Sequence, residues 1–307
     1  MTAELTPRTA PTTTRRKLRA ILDAGKTVQV PSIYDGVTAA MGAAAGFPAL
    51  SVTGNGISGS LLGRPDVGLI TLAESAGVAR NLARAVDVPL IFDADTGYGS
   101  ALNVVRTVEE MEASGIAAIK LEDQVTPKRC GVLDVPIPVV EEDEYIGKIE
   151  AAAWARTDPD FVLVARTDAK STLGIDNAAR RAARAIEAGA DVAMVIGART
   201  PEELERVAKT VQAPLALLVE NSGPVADMSL SDIQSLGYTL AIYPGAVRYS
   251  MMGAAMRALE ALREEGTTAS FRHLMATPDD WNRLLRIDRQ FALEQKYVRG
   301  NGSAATS

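Results

Sequence analysis

Eight short apolar runs punctuate the chain, each followed by a longer stretch in which apolar residues recur at helical spacing. The runs are 27–31 (TVQVP), 48–53 (PALSVT), 88–93 (VPLIFD), 116–121 (IAAIKL), 161–165 (FVLVA), 191–195 (DVAMV), 214–219 (PLALLV) and 239–243 (TLAIY). Several are almost continuous in Val, Ile and Leu, as strands buried on both faces must be. Between them, 72–86, 101–114 and 175–189 read as amphipathic helices. Alternating β and α units imply a parallel sheet, and eight of them imply a closed (β/α)8 TIM barrel. The alternative is an open doubly wound sheet, which carries a Gly-rich phosphate loop after an early strand. The nearest segment here is TGNG at 53–56, which is not G-x-G-x-x-G. A ninth helical pattern, 277–298, follows the eighth unit. An appended helix of this kind suits packing on a neighbouring subunit, so an oligomer is expected.

The ends of the chain lack this pattern. Residues 1–16, rich in Thr and Pro, and 299–307, rich in Gly, Ser and Ala, read as disordered tails. They flank one expected barrel domain with a helical extension, 17–298. Apolar residues make up 47% of the 307, enough for a sizeable core. The net charge of −6 is spread evenly, and no basic stripe interleaved with aromatics is present, so nucleic acid is not expected as a partner. No apolar run approaches the ~20 residues of a membrane span, and the N-terminus lacks the apolar core of a secretory signal. A single cysteine, Cys130, excludes an intrachain disulfide and suits a reducing cytoplasm. The single histidine, His273, and the pair Met251–Met252 read as structural.

Composition changes the picture less than position does. In a barrel, chemistry collects at the C-terminal ends of the strands. The second run ends in Thr53-Gly54-Asn55-Gly56 and the third in Asp93-Ala94-Asp95. The fourth ends in Glu122-Asp123-Gln124 and leads on to Lys128 and Cys130, and the fifth ends in Arg166-Thr167-Asp168. Any one of these acids alone reads as a turn or cap residue; four consecutive strand ends together read as a site. Carboxylates converging on one mouth repel unless a cation or protons neutralise them. Oxygen donors suit Mg²⁺ or Mn²⁺, whereas one His and one Cys do not make a zinc site. Arg166 is then placed to grip a substrate carboxylate in a bidentate clamp, with backbone N–H groups at Gly54 and Gly56 near the same anion.

The segments DADTGYG (93–99), KLEDQVTPKRCG (120–131) and ARTDA (165–169), in this order, resemble the isocitrate lyase/phosphoenolpyruvate mutase superfamily. The similarity is greatest to its 2-methylisocitrate lyase and carboxyphosphonoenolpyruvate mutase branch. It extends over about residues 27–297 and includes YD (34–35), TGNG (53–56), GRPD (63–66) and AIYPG (241–245). The resemblance implies a TIM barrel, a homotetramer with the last helix swapped between subunits, Mg²⁺ or Mn²⁺, and small carboxylic acid substrates built on a pyruvate or 2-hydroxy-acid unit. It implies Asp93 as the principal metal ligand, with Asp95 and Glu122 assisting partly through water. Thr53, Gly54, Asn55 and Arg166 match the carboxylate pocket, which Tyr34 and Gly131 are expected to complete. Asp66 matches a gating-loop acid, and Lys128 and Cys130 a mobile catalytic loop whose thiol is the acid/base of C–C cleavage. The expected reaction is therefore that of an oxo-acid lyase, or its reverse condensation. A decarboxylase or hydrolase of 2-oxo acids that does not need Cys130 is the alternative, and a non-catalytic family member the third reading.

Three positions depart from the pattern the resemblance implies. The lyases read K-(K/R)-C-G-H where this chain has Val132, and they place a glutamate where it has Ile196. Their asparagine after the seventh strand aligns with Leu218, with a one-residue shift open. All three substitutions are aliphatic. Burying a succinate-like carboxylate against them would leave a charge unpaired. The expected distal subsite is therefore apolar, suited to an alkyl- or aryl-substituted malate or a 2-oxo acid rather than a citrate-like tricarboxylate.

Overall fold

The computed structural model describes residues 9–131 and 135–298. Contacts divide these into two compact units, 10–251 and the segment from Met252 onward. The expected tails at 1–8 and 299–307, and Val132, lie outside the described residues.

The larger unit is a closed barrel of eight parallel strands in sequential order. They are Val28–Ile33 (β1), Leu50–Val52 (β2), Leu90–Asp93 (β3), Ala118–Glu122 (β4), Val162–Thr167 (β5), Val192–Val195 (β6), Leu215–Leu218 (β7) and Leu240–Tyr243 (β8). Every apolar run of the sequence supplies one of them. Closure comes from β1 against β8, with Val28 opposite Leu240 and Pro31 opposite Tyr243. Helices cover the outer face. Leu72–Ala85, Ala101–Ser114 and Ile175–Glu187 fall almost where the periodicity places them. Their starts are fixed by side chains that satisfy free N–H groups: Thr71 and Glu74 form a reciprocal capping box.

Side chains pointing outward from the strands, such as Leu50, Phe92, Leu121 and Leu163, are buried with helix residues Val108, Met111 and Ile149. Those pointing inward, including Val30, Ile91, Val164, Met194 and Ile242, fill the barrel itself. Complete burial of one such aliphatic side chain is worth about 1.5–3 kcal/mol.

The disorder expected up to residue 16 gives way to a helix, Pro11–Asp23. Pro11 starts it, and Leu18 and Leu22, one turn apart, join the inward-facing cluster of the barrel. Arg15 is buried, donating to the Ile116 carbonyl at 3.1 Å and pairing with Asp158 at 2.7 Å. Arg19 reaches Asp191, just before β6, at 2.7 Å. These contacts lie at the N-terminal ends of β4, β5 and β6, so the helix stoppers the end of the barrel away from the site. The Thr-rich composition masked only two anchoring leucines and an arginine.

The smaller unit contains the end of helix Ala246–Glu265 and two helices, Pro278–Leu284 and Ile287–Tyr297. The single helix expected over 277–298 is broken at Arg286, whose φ of 57° is left-handed and cannot continue a right-handed helix. His273 is exposed in a short 3₁₀ turn, Arg272–Leu274. Among the described residues, no helix is long and apolar enough to cross a membrane.

Candidate active site

The C-terminal ends of β2 to β5 bring the expected acids and bases together. Asp93 is the last residue of β3, and its Oδ2 lies 3.4 Å from the amide of Gly54, which follows β2. Gly54 lies close to the acids: a Cβ there would sit 3.3 Å from Asp95 Oδ1 and 3.4 Å from Lys128 Nζ, a tight contact. Asp95 has φ 49°, a region that costs a non-glycine residue about 1–2 kcal/mol. The strained turn places its carboxylate against Lys128, Nζ to Oδ1 at 2.5 Å.

Lys128 is buried and also bonds Asp66 at 3.0 Å. Burial opposes its charge, but Asp95, Glu122, Asp93 and Asp66 outweigh that and hold the ammonium well above its usual pKa. The same charges separate the two aspartates of D-A-D. Burial raises Asp95, Asp93 and Asp66 reinforce the rise, and Lys128 offsets it only in part, leaving a pKa of about 6. Asp93 is equally buried, but Lys120, Lys128, Arg166 and the Gly54 amide overcome that and bring it down to about 2. Two carboxylates two residues apart thus hold opposite proton preferences.

Arg166 departs from the expected clamp. Its Nε and Nη2 form parallel hydrogen bonds with Asp168, both 2.9 Å, so its forked edge is already occupied. Nη1 is turned toward Glu122 Oε2 at 2.9 Å and Asp93 Oδ2 at 3.8 Å, within ion-pair range but not aligned as hydrogen bonds. Only one end of the guanidinium faces the site. Glu122 is buried, which drives its pKa well up despite Arg166 and Lys128. Asp123, beside it, is structural: it accepts Thr167 Oγ1 at 2.6 Å and the Asp168 amide at 2.9 Å, fixing the end of β5.

Cys130 is half-buried, and the Asn55 side-chain amide donates to its Sγ at 2.9 Å. The loop that carries it is tied down at Arg129, whose amide donates to Gln124 Oε1 at 2.7 Å. A cavity of about 540 Å³ opens at this end of the barrel. Of the expected residues, Thr53, Asn55, Asp66, Asp93, Lys128, Cys130, Gly131, Arg166, Ile196 and Leu218 line it. Gly54, Asp95 and Glu122 stand behind that wall, in contact with Lys128, Arg166 or Asp93. Tyr34 is not part of the lining; its hydroxyl is turned to Met251 Sδ at 3.7 Å.

Two sets of lining residues were missed from the sequence. Lys120 projects into the barrel from β4, bonding Ser51 Oγ at 3.1 Å and standing 3.8 Å from Asp93. Its signal was a lone lysine inside an apolar strand. After β6, β7 and β8 come Arg199, Glu220, Asn221, Arg248 and Tyr249, polar residues that line the same cavity as the apolar Ile196 and Leu218. Asn221 is held so close to Gly245 that a Cβ at 245 would collide with its amide.

Among the described residues, no three acidic, cysteine or histidine side chains converge into a ready-made metal cage. The donors nevertheless suit a hard cation. Asp93 Oδ1 and Glu122 Oε1 are buried and accept no hydrogen bond among the described residues. Mg²⁺ needs only one or two carboxylates, because it retains several waters.

Comparison with known proteins agrees with this layout. The family model of phosphoenolpyruvate phosphomutase matches residues 18–263. A 2,3-dimethylmalate lyase of Eubacterium barkeri is 40% identical over 288 residues, which is 94% of this chain and 99% of that protein. The structure of an oxaloacetate acetylhydrolase with 3,3-difluorooxalacetate superimposes with a TM-score of 0.88 at 31% identity, covering 94% of this chain and 98% of that one. A phosphonopyruvate hydrolase complexed with oxalate and Mg²⁺ gives 0.84 at 30% identity, covering 95% and 100%.

Proposed function

Because the chain belongs to the phosphoenolpyruvate phosphomutase family, we propose that it is a metal-dependent carbon–carbon lyase that cleaves alkyl-substituted 2-hydroxy dicarboxylic acids of the malate type. The observation that carries this reading is the Cys130 thiol, held by Asn55 at 2.9 Å in the same cavity as the unpartnered Oδ1 of Asp93.

Asp93 would hold Mg²⁺, with Asp95 and Glu122 acting through bound water. When bound, the metal polarises the oxygens of the 2-hydroxy-acid half and offsets negative charge that develops there. The protein's own groups do the rest. Thr53, Gly54 and Asn55 frame the proximal carboxylate, and Arg166 Nη1 supplies positive charge beside it. The hydroxyl proton passes to solvent water, the C2–C3 bond breaks to give a 2-oxo acid, and the electron pair passes to C3. The Cys130 thiol protonates C3, and the thiolate left behind recovers a proton from solvent, so no net proton is gained or lost. Lys128 keeps the loop positively charged, and Asp66 orients it. Alkyl substituents lie against Ile196 and Leu218, which a second acidic side arm would not tolerate.

The likeness to oxaloacetate acetylhydrolase supports the second reading, hydrolysis of a 2-oxo diacid in the same cavity. The purified protein with Mg²⁺ should release pyruvate from 2,3-dimethylmalate, followed by coupling to a lactate dehydrogenase. Oxalate and acetate from oxaloacetate, with Cys130→Ser fully active, would favour the hydrolase instead. A homotetramer in the cytoplasm completes the proposal. Exposed apolar side chains from Met252 onward, including Met256, Leu259, Trp281 and Phe291, support assembly.

A further inference from the structure

Six cations line the cavity; Arg129 donates to the carbonyls of Pro127 and Lys128, both at 3.2 Å, and the other five can be compared by what neutralises them. Lys120 lies 3.8 Å from Asp93, Lys128 3.0 Å from Asp66, Arg166 2.9 Å from Glu122 and Arg199 3.6 Å from Glu220. Arg248 has no carboxylate partner among the described residues. Its Nη2 donates to Tyr249 Oη at 2.9 Å, and the guanidinium carbon stands 4.6 Å from the centre of the Tyr249 ring. Nε and Nη1 are shielded from solvent and donate to nothing among the described residues. The three N–H groups on these two atoms are hydrogen-bond donors on a permanent cation. Leaving such donors buried and unmade is costly; Nε–H and Nη1 lie on different edges of the guanidinium, so a carboxylate that reaches Arg248 gains a single charge-assisted bond from either edge.

The position of Arg248 says which carboxylate. It follows β8, across the mouth from β2 to β5, whose ends supply Asp93 and the proximal half of the site. We propose that Arg248 receives the distal carboxylate of the substrate, the one attached to the carbon that leaves as a carbanion. This rests on the lyase reading above. When the C2–C3 bond breaks, the electron pair on C3 spreads into that carboxylate, which then carries extra negative charge until the Cys130 thiol protonates C3. Arg248 therefore binds the ground state and binds the transition state more strongly. Arg166 cannot take this role, because Asp168 already holds its forked edge. The substrate class narrows accordingly: two carboxylates bracket the scissile bond, with alkyl groups toward Ile196 and Leu218.

The test uses the Mg²⁺-loaded Cys130→Ser protein, so that ligands bind without turnover, with and without Arg248→Gln. Three probes are titrated calorimetrically: 2,3-dimethylmalate, 2-hydroxy-2,3-dimethylbutyrate, in which a methyl replaces the distal carboxylate, and oxalate. With Arg248 present, the dicarboxylate should bind at least about tenfold more tightly than the monocarboxylate. Arg248→Gln should erase that preference and leave monocarboxylate and oxalate affinities within about twofold, and Arg248→Lys should restore part of it. Thermal melting should not fall in Arg248→Gln, since the lost donors are unpaired. A preference that survives Arg248→Gln, or no preference in the protein that retains Arg248, overturns the assignment. The lyase reading fails separately. An Arg248-dependent preference in a protein that cleaves no dicarboxylate keeps the subsite and removes the reaction. Cleavage of dimethylmalate with an unchanged KM in Arg248→Gln keeps the reaction and removes the subsite.

Discussion

Arg166 and Asp168 face each other through two parallel hydrogen bonds of 2.9 Å, from Nε and from Nη2. The pair fixes the plane of the guanidinium and leaves Nη1 directed at Glu122 and Asp93. Asp168→Asn keeps the shape but can accept only one of the two bonds as before. Release of pyruvate from dimethylmalate should lose roughly ten- to hundredfold in kcat/KM. Chemical denaturation should show a loss of about 1–3 kcal/mol in stability.

The Cys130 thiol and its Asn55 partner should differ in weight. Cys130→Ser should lower kcat by roughly a hundredfold or more, as removal of a positioned acid does. Asn55→Ala removes one orienting bond and should cost about tenfold. Both variants should still bind oxalate with Mg²⁺, which calorimetry reports directly.

Lys128 is the cation between Asp66 and Asp95. Lys128→Met leaves those acids facing Asp93 without it. In the absence of metal the variant should lose about 3–5 kcal/mol, the usual outcome of stripping one partner from a buried ion pair. Added Mg²⁺ should then raise its melting temperature more than it raises that of the parent protein.

Asp95 gives the metal-free protein a distinctive pH response. Its pKa of about 6 in the fold lies above the ordinary value of 3.8, so the folded state binds its proton more tightly than the unfolded chain does. Stability from this group is present below pH ~4 and is lost as pH rises toward ~6, up to about 3 kcal/mol in all. Asp93, held down at about 2, acts in the opposite sense and only below about pH 4. Urea unfolding at pH 4.5 and 7 should show the loss in the parent protein and a flatter profile in Asp95→Asn.

Ile196 tests the apolar wall. Ile196→Glu places a carboxylate where an alkyl substituent is proposed to lie, and the Ile196 Cγ2 now sits near Gly131. KM for dimethylmalate should rise roughly tenfold or more, with a smaller change in oxalate affinity. An unchanged ratio of dimethylmalate to 2-methylisocitrate turnover would count against a specificity role.

The barrel could be read in the sequence because each buried strand is an apolar run and each helix repeats at its own period. The acids were legible for a related reason: polar residues appear where an apolar run stops, and in a barrel those points converge. Lys120 escaped notice because it lies within a run, where a side chain's direction depends on strand register. The Arg166–Asp168 fork escaped because a two-residue spacing does not reveal that both side chains turn toward each other. Arg199, Glu220 and Asn221 come from loops without periodicity and Arg248 from the first turn of the helix Ala246–Glu265, so only the closed barrel brings them to one rim. The helix Pro11–Asp23 was hidden because its buried contacts, such as Arg15 with Ile116, are with residues far away in the chain.

The filled barrel has a kinetic consequence. With Val30, Ile91, Val164, Met194 and Ile242 packed inside it and Leu18 and Leu22 beneath them, the cavity is a blind well, and both fragments of a cleavage must leave by the same opening. The fragment lodged deeper has to wait until the other has cleared the exit. Product inhibition should therefore be ordered: the 2-oxo acid, seated toward Asp93 and Lys120, should compete directly with substrate, and the other fragment should not. The packed interior of the barrel thus sets the sequence in which the products should depart.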